Sequence, residues 1–166
     1  MRQSPELAKV QQRMQPGELT VDGFLGDDTR PLANILLDDE TKIRALGLTH
    51  ALVASALQRL TDEARRGQGN RVVVDDRYEV EMTEVRGGIP SPWPGEGVFP
   101  KSFVRCHDRQ TGHTLQWSDL SMHLIKEHGF YEGKGSPFRL DPEVLDKVLD
   151  VPEPDEELPE GPKEGE

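Results

Sequence analysis

The chain has one cysteine, no long apolar run and too little positive charge to balance its acids, and each shortage excludes something. With Cys106 the only thiol among 166 residues, neither an intramolecular disulfide nor the paired cysteines of a zinc finger can form. A reducing compartment is the simpler setting, so the expected location is cytoplasmic. The longest apolar stretches fall far short of the roughly 20 residues a membrane span needs. The N-terminal run Met1-Arg2-Gln3-Ser4-Pro5-Glu6 carries no apolar signal core, so no membrane association is expected. Lys and Arg number 20 against 31 Asp and Glu, a net charge of −11, which argues against nucleic acid as a partner. That charge is uneven. Residues 151–166 hold seven acids and one base and so carry −6 of it, leaving the body at −5.

What is present is a sequence of strong local signals. Ser4-Pro5-Glu6 combines a capping hydroxyl, a proline at the first helical position and an acid in the first turn, predicting a helix to about Met14. Pro16-Gly17 ends it, and Leu19 to Leu25 reads as an irregular arm. A second helix is predicted from Asp28 or Thr29, with Leu32, Ile35, Leu36, Ile43 and Leu46 on one stripe and Gly47 as its stop. Thr49 caps a third, in which Leu52, Val53, Ala56, Leu57 and Leu60 keep helical spacing up to Arg65-Arg66-Gly67. Beyond Gly69 the period becomes two. Val72 to Val74 and Tyr78 to Thr83 describe one hairpin; Ser102 to His107 and His113 to Trp117 describe a second. Between them Gly87 to Pro100, with four prolines and four glycines, reads as a long loop whose Trp93 folds back as a plug or acts as a lid. Ser118 caps a helix to His128 with Gly129 as its stop, and Asp141-Pro142-Glu143 opens a last short one.

Four of the five histidines and the cysteine fall between Cys106 and His128, and thiolate with imidazole is a donor set that zinc prefers. Cys106, His113, His123 and His128 are therefore the candidate metal ligands. No cofactor is otherwise expected. Two geometric objections stand against joint ligation: neighbouring Cys106 and His107 should face opposite sides of a strand, and five helical residues separate His123 from His128 by about 140°. Read singly, Cys106 is a small buried hydrophobe, His128 a partner of the helix dipole and His123 a neighbour of Glu127. Cys106 with a histidine could also serve a small enzyme as a thiolate pair.

Ile43 to Leu60, a helix, a glycine turn and a Thr-capped helix, resembles the helix-turn-helix of DNA-binding proteins over about 20 residues. The resemblance implies a DNA-binding regulator reading bases with His50, Ser55, Gln58 and Arg59 of helix 50–65. Asp38, Asp39, Glu40, Asp62 and Glu63 on the same pair would repel phosphate. The glycine-rich stretch Gly129 to Leu140 offers Lys134 and Arg139 as candidate anion-binding cations.

These readings combine into an α+β fold: an antiparallel sheet of about four strands in two hairpins, helices mainly on one face, and a disordered acidic C-terminal tail. Residues 1–26 form an N-terminal helix and arm, 27–150 a single domain (helical pair 29–66, sheet 71–117, helix 119–128) and 151–166 the tail. The expected function is a non-catalytic binding or regulatory module acting through contacts with a protein partner that the sequence does not name. Zinc binding, or catalysis at the Cys106/His cluster, is the first alternative and DNA binding the second.

Overall fold

The computed structural model describes residues 3–151, so the acidic tail expected from composition lies outside the described residues apart from Val151. Five helices and four strands follow one another as α1 (Pro5–Arg13), α2 (Leu32–Ala45), α3 (His50–Arg66), β1 (Val72–Val74), β2 (Tyr78–Pro90), β3 (Val98–Asp108), β4 (Thr114–Ser118), α4 (Asp119–His128) and α5 (Pro142–Val148). The fold is α+β, with one antiparallel sheet in the order β1-β2-β3-β4.

The helices begin where short side chains can take free backbone N–H groups. Ser4 accepts from the Leu7 N–H, Thr49 from Leu52, Ser118 from Ser121 and Asp141 from Glu143. α2 is the exception: Pro31 stands at its start with no side-chain cap, because Asp28, expected to cap it, instead binds the Arg30 guanidinium at 2.6 Å. That partner, helped by the Lys134 N–H against the effect of burial, holds the Asp28 carboxyl at about 2.

Period-two burial divides the sheet into a covered and an open face. Tyr78, Val80, Met82, Val104, Cys106, Leu115 and Trp117 point into the larger core with Val53, Leu57 and Leu60 of α3, Met122 and Ile125 of α4, and Leu145 of α5. Glu79, Glu81, Arg105, His107 and Gln116 occupy the other face. At the centre, fully buried Trp117 donates its indole N–H to Thr61 Oγ1 at 2.8 Å, and that hydroxyl in turn donates a hydrogen bond to the Leu57 carbonyl. Asp108 is buried at the end of β3. Burial works to raise its pKa, but Arg77 at 2.7 Å and 3.0 Å, the Thr111 hydroxyl and the Gln110 N–H outweigh this and hold it at about 2.

One expectation about the sheet is corrected. The proline- and glycine-rich stretch is half strand: β2 runs through Pro90 and β3 begins at Val98, paired with each other across a bulge between Val85 and Gly88. β1 reaches only Tyr78–Val80 and β4 only Phe103–His107, so this far end is a two-stranded ribbon. A proline tolerates such a place because no third strand needs its missing N–H. Only residues 91–97 remain as loop. The ribbon carries Ile89 to a second core cluster, formed with Val10, Met14, Phe24, Leu25, Leu32, Ile35, Leu120, Leu124 and Phe130.

Candidate metal centre

Loop 91–97 joins β2 to β3 and is fastened to both neighbours. The Ser91 N–H donates to the Gly97 carbonyl, and Arg13 of α1 donates to the Pro92 and Ser91 carbonyls at 2.7 Å and 3.2 Å. Trp93 turns back onto α4, its indole stacked on the His128 ring at 3.8 Å between centroids and only 4° from parallel, with an edge toward Phe130. The expected fold-back of Trp93 is thus present, with the end of α4 as its platform.

This anchoring brings Glu96 over α4. Its Oε1 lies 2.8 Å from His123 Nε2, and its Oε2 lies 2.7 Å from His128 Nε2. Ser91 Oγ donates to Oε1 at 2.8 Å. Burial works to raise the Glu96 carboxyl, but bonds from His123, Ser91 and His128 reverse this and leave it below its ordinary value. A carboxylate only accepts, so both imidazoles donate from Nε2. Phe99 packs against His123 with ring centroids 4.7 Å apart, so each imidazole rests on an aromatic ring.

The one carboxylate oxygen and two imidazole nitrogens lie within 4.8 Å of one another, and this Glu/His/His cluster could hold a metal ion. Bonds of about 2.0–2.1 Å place tetrahedral ligand atoms about 3.3 Å apart, so an ion would displace both Nε2 protons and open the 2.7 Å and 2.8 Å contacts to the carboxylate. Among the described residues no other group of three such donors converges.

Of the four expected ligands the structure brings His123 and His128 together, with Glu96 as their neighbour. His123 and His128 come together without the distortion foreseen: α4 stays α-helical to His128, and Gly129 caps it at φ 66 with its N–H on the Ile125 carbonyl. The third partner resolves the angular problem, because one carboxylate offers an oxygen to each ring. Cys106 and His113 do not join them. Cys106 is fully buried in the larger core, where burial, with Asp108 nearby, pushes its thiol up to about 12 and so disfavours a thiolate. His113 lies in the β3–β4 turn, where its carbonyl accepts from Asp108. Glu127 is exposed and is not the partner of His123. Glu96 had one sequence signal: it is the only charged residue between Gly87 and Pro100.

His123 also borders a groove of about 790 Å³ between α3 and α4, where Arg59, Arg65, Arg66 and Lys126 alternate with Asp62, Glu63 and Asp119. The proposed base-reading residues stand on or beside it. Ser55 is exposed, Gln58 donates to Asp62 and Arg59 pairs with Asp75 at 2.7 Å, while His50 is half-buried against the Tyr131 hydroxyl at 2.7 Å. Burial lowers the His50 pKa, which works against a phosphate-seeking cation there. In the glycine-rich loop, Arg139 is engaged by buried Asp39 at 2.5 Å and 3.0 Å and by the Glu132 carbonyl at 2.9 Å. Lys134 is exposed and its backbone N–H donates to Asp28. The two cations thus serve different neighbours and do not converge on a common anion position.

No helix among the described residues is long and apolar enough to cross a membrane. Comparison of the chain with known protein families, with characterised proteins and with solved structures finds no match.

Proposed function

We propose that the protein is a binding module whose ligand is a divalent transition metal, zinc being the ion best suited to two imidazoles and a carboxylate. The observation that carries this reading is the convergence of Glu96, His123 and His128 from a loop and a helix 27 and 32 residues apart. Three protein ligands leave a coordination position open to water or to a donor from a partner, and a bound ion would act there as a Lewis acid. His123 faces both the cluster and the groove, so a partner's side chain entering the groove could supply that donor. In this form the metal reading joins the regulatory role through protein contacts that was expected for want of a specific catalytic constellation. A reducing cytoplasmic setting, proposed from the single cysteine, suits it. DNA reading through α3 has no comparable support, because Gln58 and Arg59 already answer to acidic neighbours.

The test is titration of the full chain with zinc at pH 7.5 by calorimetry, alongside elemental analysis of protein purified without chelators. One equivalent with a dissociation constant at or below the micromolar range is expected. His123→Ala combined with His128→Ala should weaken binding at least about a hundredfold, since two of three ligands are lost. Stoichiometric binding that survives this double substitution, or no heat from the wild-type chain, would overturn the proposal.

A further inference from the structure

A second cavity, of about 270 Å³, shares no lining residue with the groove beside His123. Its walls are largely apolar: Phe24, Val85, Phe103, Leu120 and Phe138 contribute, and Glu132 is among its lining residues. Glu132 is only 7% exposed. Its backbone sits at φ 70, a left-handed conformation that a glutamate seldom adopts. The backbone just after it is held in place. The Gly133 N–H donates to the Phe24 carbonyl at 3.0 Å, and a Cβ on Gly133 would stand 2.2 Å from the Leu25 carbonyl oxygen. The segment Phe24-Leu25 therefore clamps the chain at the residue that presents the carboxyl.

That carboxyl is incompletely partnered. Oε1 accepts from the Ser136 hydroxyl at 2.7 Å, and Oε2 receives no hydrogen bond from any described residue. Buried oxygens left without a donor are uncommon in folded proteins, and a strained backbone that holds one in a cavity is a frequent mark of a ligand position. Arg139, the nearest guanidinium, binds the Glu132 carbonyl oxygen and Asp39, not this carboxyl. Lys101 and Asp22 both line the cavity, and their opposite charges leave Glu132 to set its polarity.

We propose that this cavity binds a small primary amine with an aromatic or branched apolar body, the ammonium group donating to Glu132 Oε2 and the body lying against Phe24, Leu120 and Phe138. The volume exceeds the roughly 150 Å³ that accommodates benzene and falls just under the usual range of ligand cavities, so one ring with a two-carbon amine is of fitting size. An ammonium supplies both the missing hydrogen bond and the opposite charge, which makes the contact stronger than a neutral donor would. Burial pushes the Glu132 carboxyl up to about 7, so ammonium binding near neutral pH draws a proton off the carboxyl.

The probes are 2-phenylethylamine, 2-phenylethanol and ethylbenzene, titrated into the full chain at pH 8 by ligand-observed NMR. The amine should bind at least about tenfold more tightly than the alcohol, the difference expected of a charge-assisted over a neutral hydrogen bond. Glu132→Gln should bring the amine down to the level of the alcohol and leave the alcohol within about twofold. Val85→Trp, at a half-exposed wall residue, should obstruct both, and this variant keeps the test decisive even if the Glu132 variant folds poorly. The His123/His128 double variant should bind the amine normally, which separates this proposal from the metal reading. Equal affinities for amine and alcohol, an amine affinity unchanged in Glu132→Gln, or no binding of any probe at millimolar concentration would each overturn it.

Discussion

Replacing Glu132 with Gln should change little at pH 5 and stabilise the protein increasingly as the pH rises toward 8. Burial raises this carboxyl from 4.5 to about 7, with Ser136 and Arg139 offsetting only part of the effect. A raised pKa means that the folded state holds the proton more tightly than the unfolded chain. The stability this confers is complete below pH 4.5 and is lost as the pH rises through 7. A displacement of about 2.5 pH units at about 1.4 kcal/mol per unit corresponds to about 3 kcal/mol lost between pH 4.5 and pH 8. Glutamine stays neutral throughout and still accepts from Ser136, while its amide protons take the unpartnered position at a cost of about 1 kcal/mol. The variant is therefore expected near or slightly below wild type at pH 5 and about 2 kcal/mol above it at pH 8, a gain of roughly 4–8 °C in Tm for a domain of this size. Urea unfolding followed by tryptophan fluorescence at pH 5, 6, 7 and 8 measures the difference. Asp28 and Asp108, both held at about 2, titrate below this window and are common to both proteins. A stability difference that stays constant from pH 5 to pH 8 would refute the reasoning, since it would mean that Glu132 titrates alike in the folded and unfolded chain.

Two further expectations test the larger core. Thr61→Val keeps the shape of the side chain but removes the acceptor of the Trp117 indole N–H, leaving a fully buried donor unpaired; a loss of about 1–3 kcal/mol in urea unfolding is expected. Adding Trp117→Phe to that variant should cost less than it costs the wild-type chain, a coupling that a double-mutant cycle reads directly. Cys106, buried and with its thiol raised to about 12, should react with a disulfide reagent only as fast as the larger core opens, so labelling and unfolding rates should agree under strongly labelling conditions. Rapid labelling of the native chain would contradict the position given to β3.

The elements legible from sequence are those decided within a few residues. Ser4, Thr49, Ser118 and Asp141 reach N–H groups two or three positions along, and Gly129 takes a left-handed φ at the end of its own helix. The alternation of Tyr78, Val80 and Met82 with Glu79 and Glu81 survives folding because one sheet face is covered and the other is not. The β2–β3 ribbon was hidden because strand pairing is settled by the partner strand. Gly88 and Pro100 read as loop residues singly, yet they face each other in the register. The Glu/His/His cluster was legible only in part for the same reason. His123 and His128 announced themselves by type and proximity, whereas Glu96 earns its place through a ribbon that carries it back to α4.

The position of α4 ties these observations together. At about 100° per residue, Leu120 and Leu124 form a stripe into the smaller core, Met122 and Ile125 lie on the side toward the larger one, and His123 and His128 flank the Leu stripe at roughly 60–80° to either side. A carboxylate set over that stripe reaches both rings. The helix need not deform, and the angular separation that argued against two ligands on one helix becomes the span of one bridging glutamate. The same stripe places Leu120 in the wall of the cavity that holds Glu132. One short helix therefore supplies ligands to the first candidate site and apolar surface to the second. Arg13 fastens the Glu96 loop to α1, whose Val10 and Met14 lie in the smaller core, while the loop itself joins β2 to β3, so an occupant of the Glu96 cluster touches both the smaller core and the sheet.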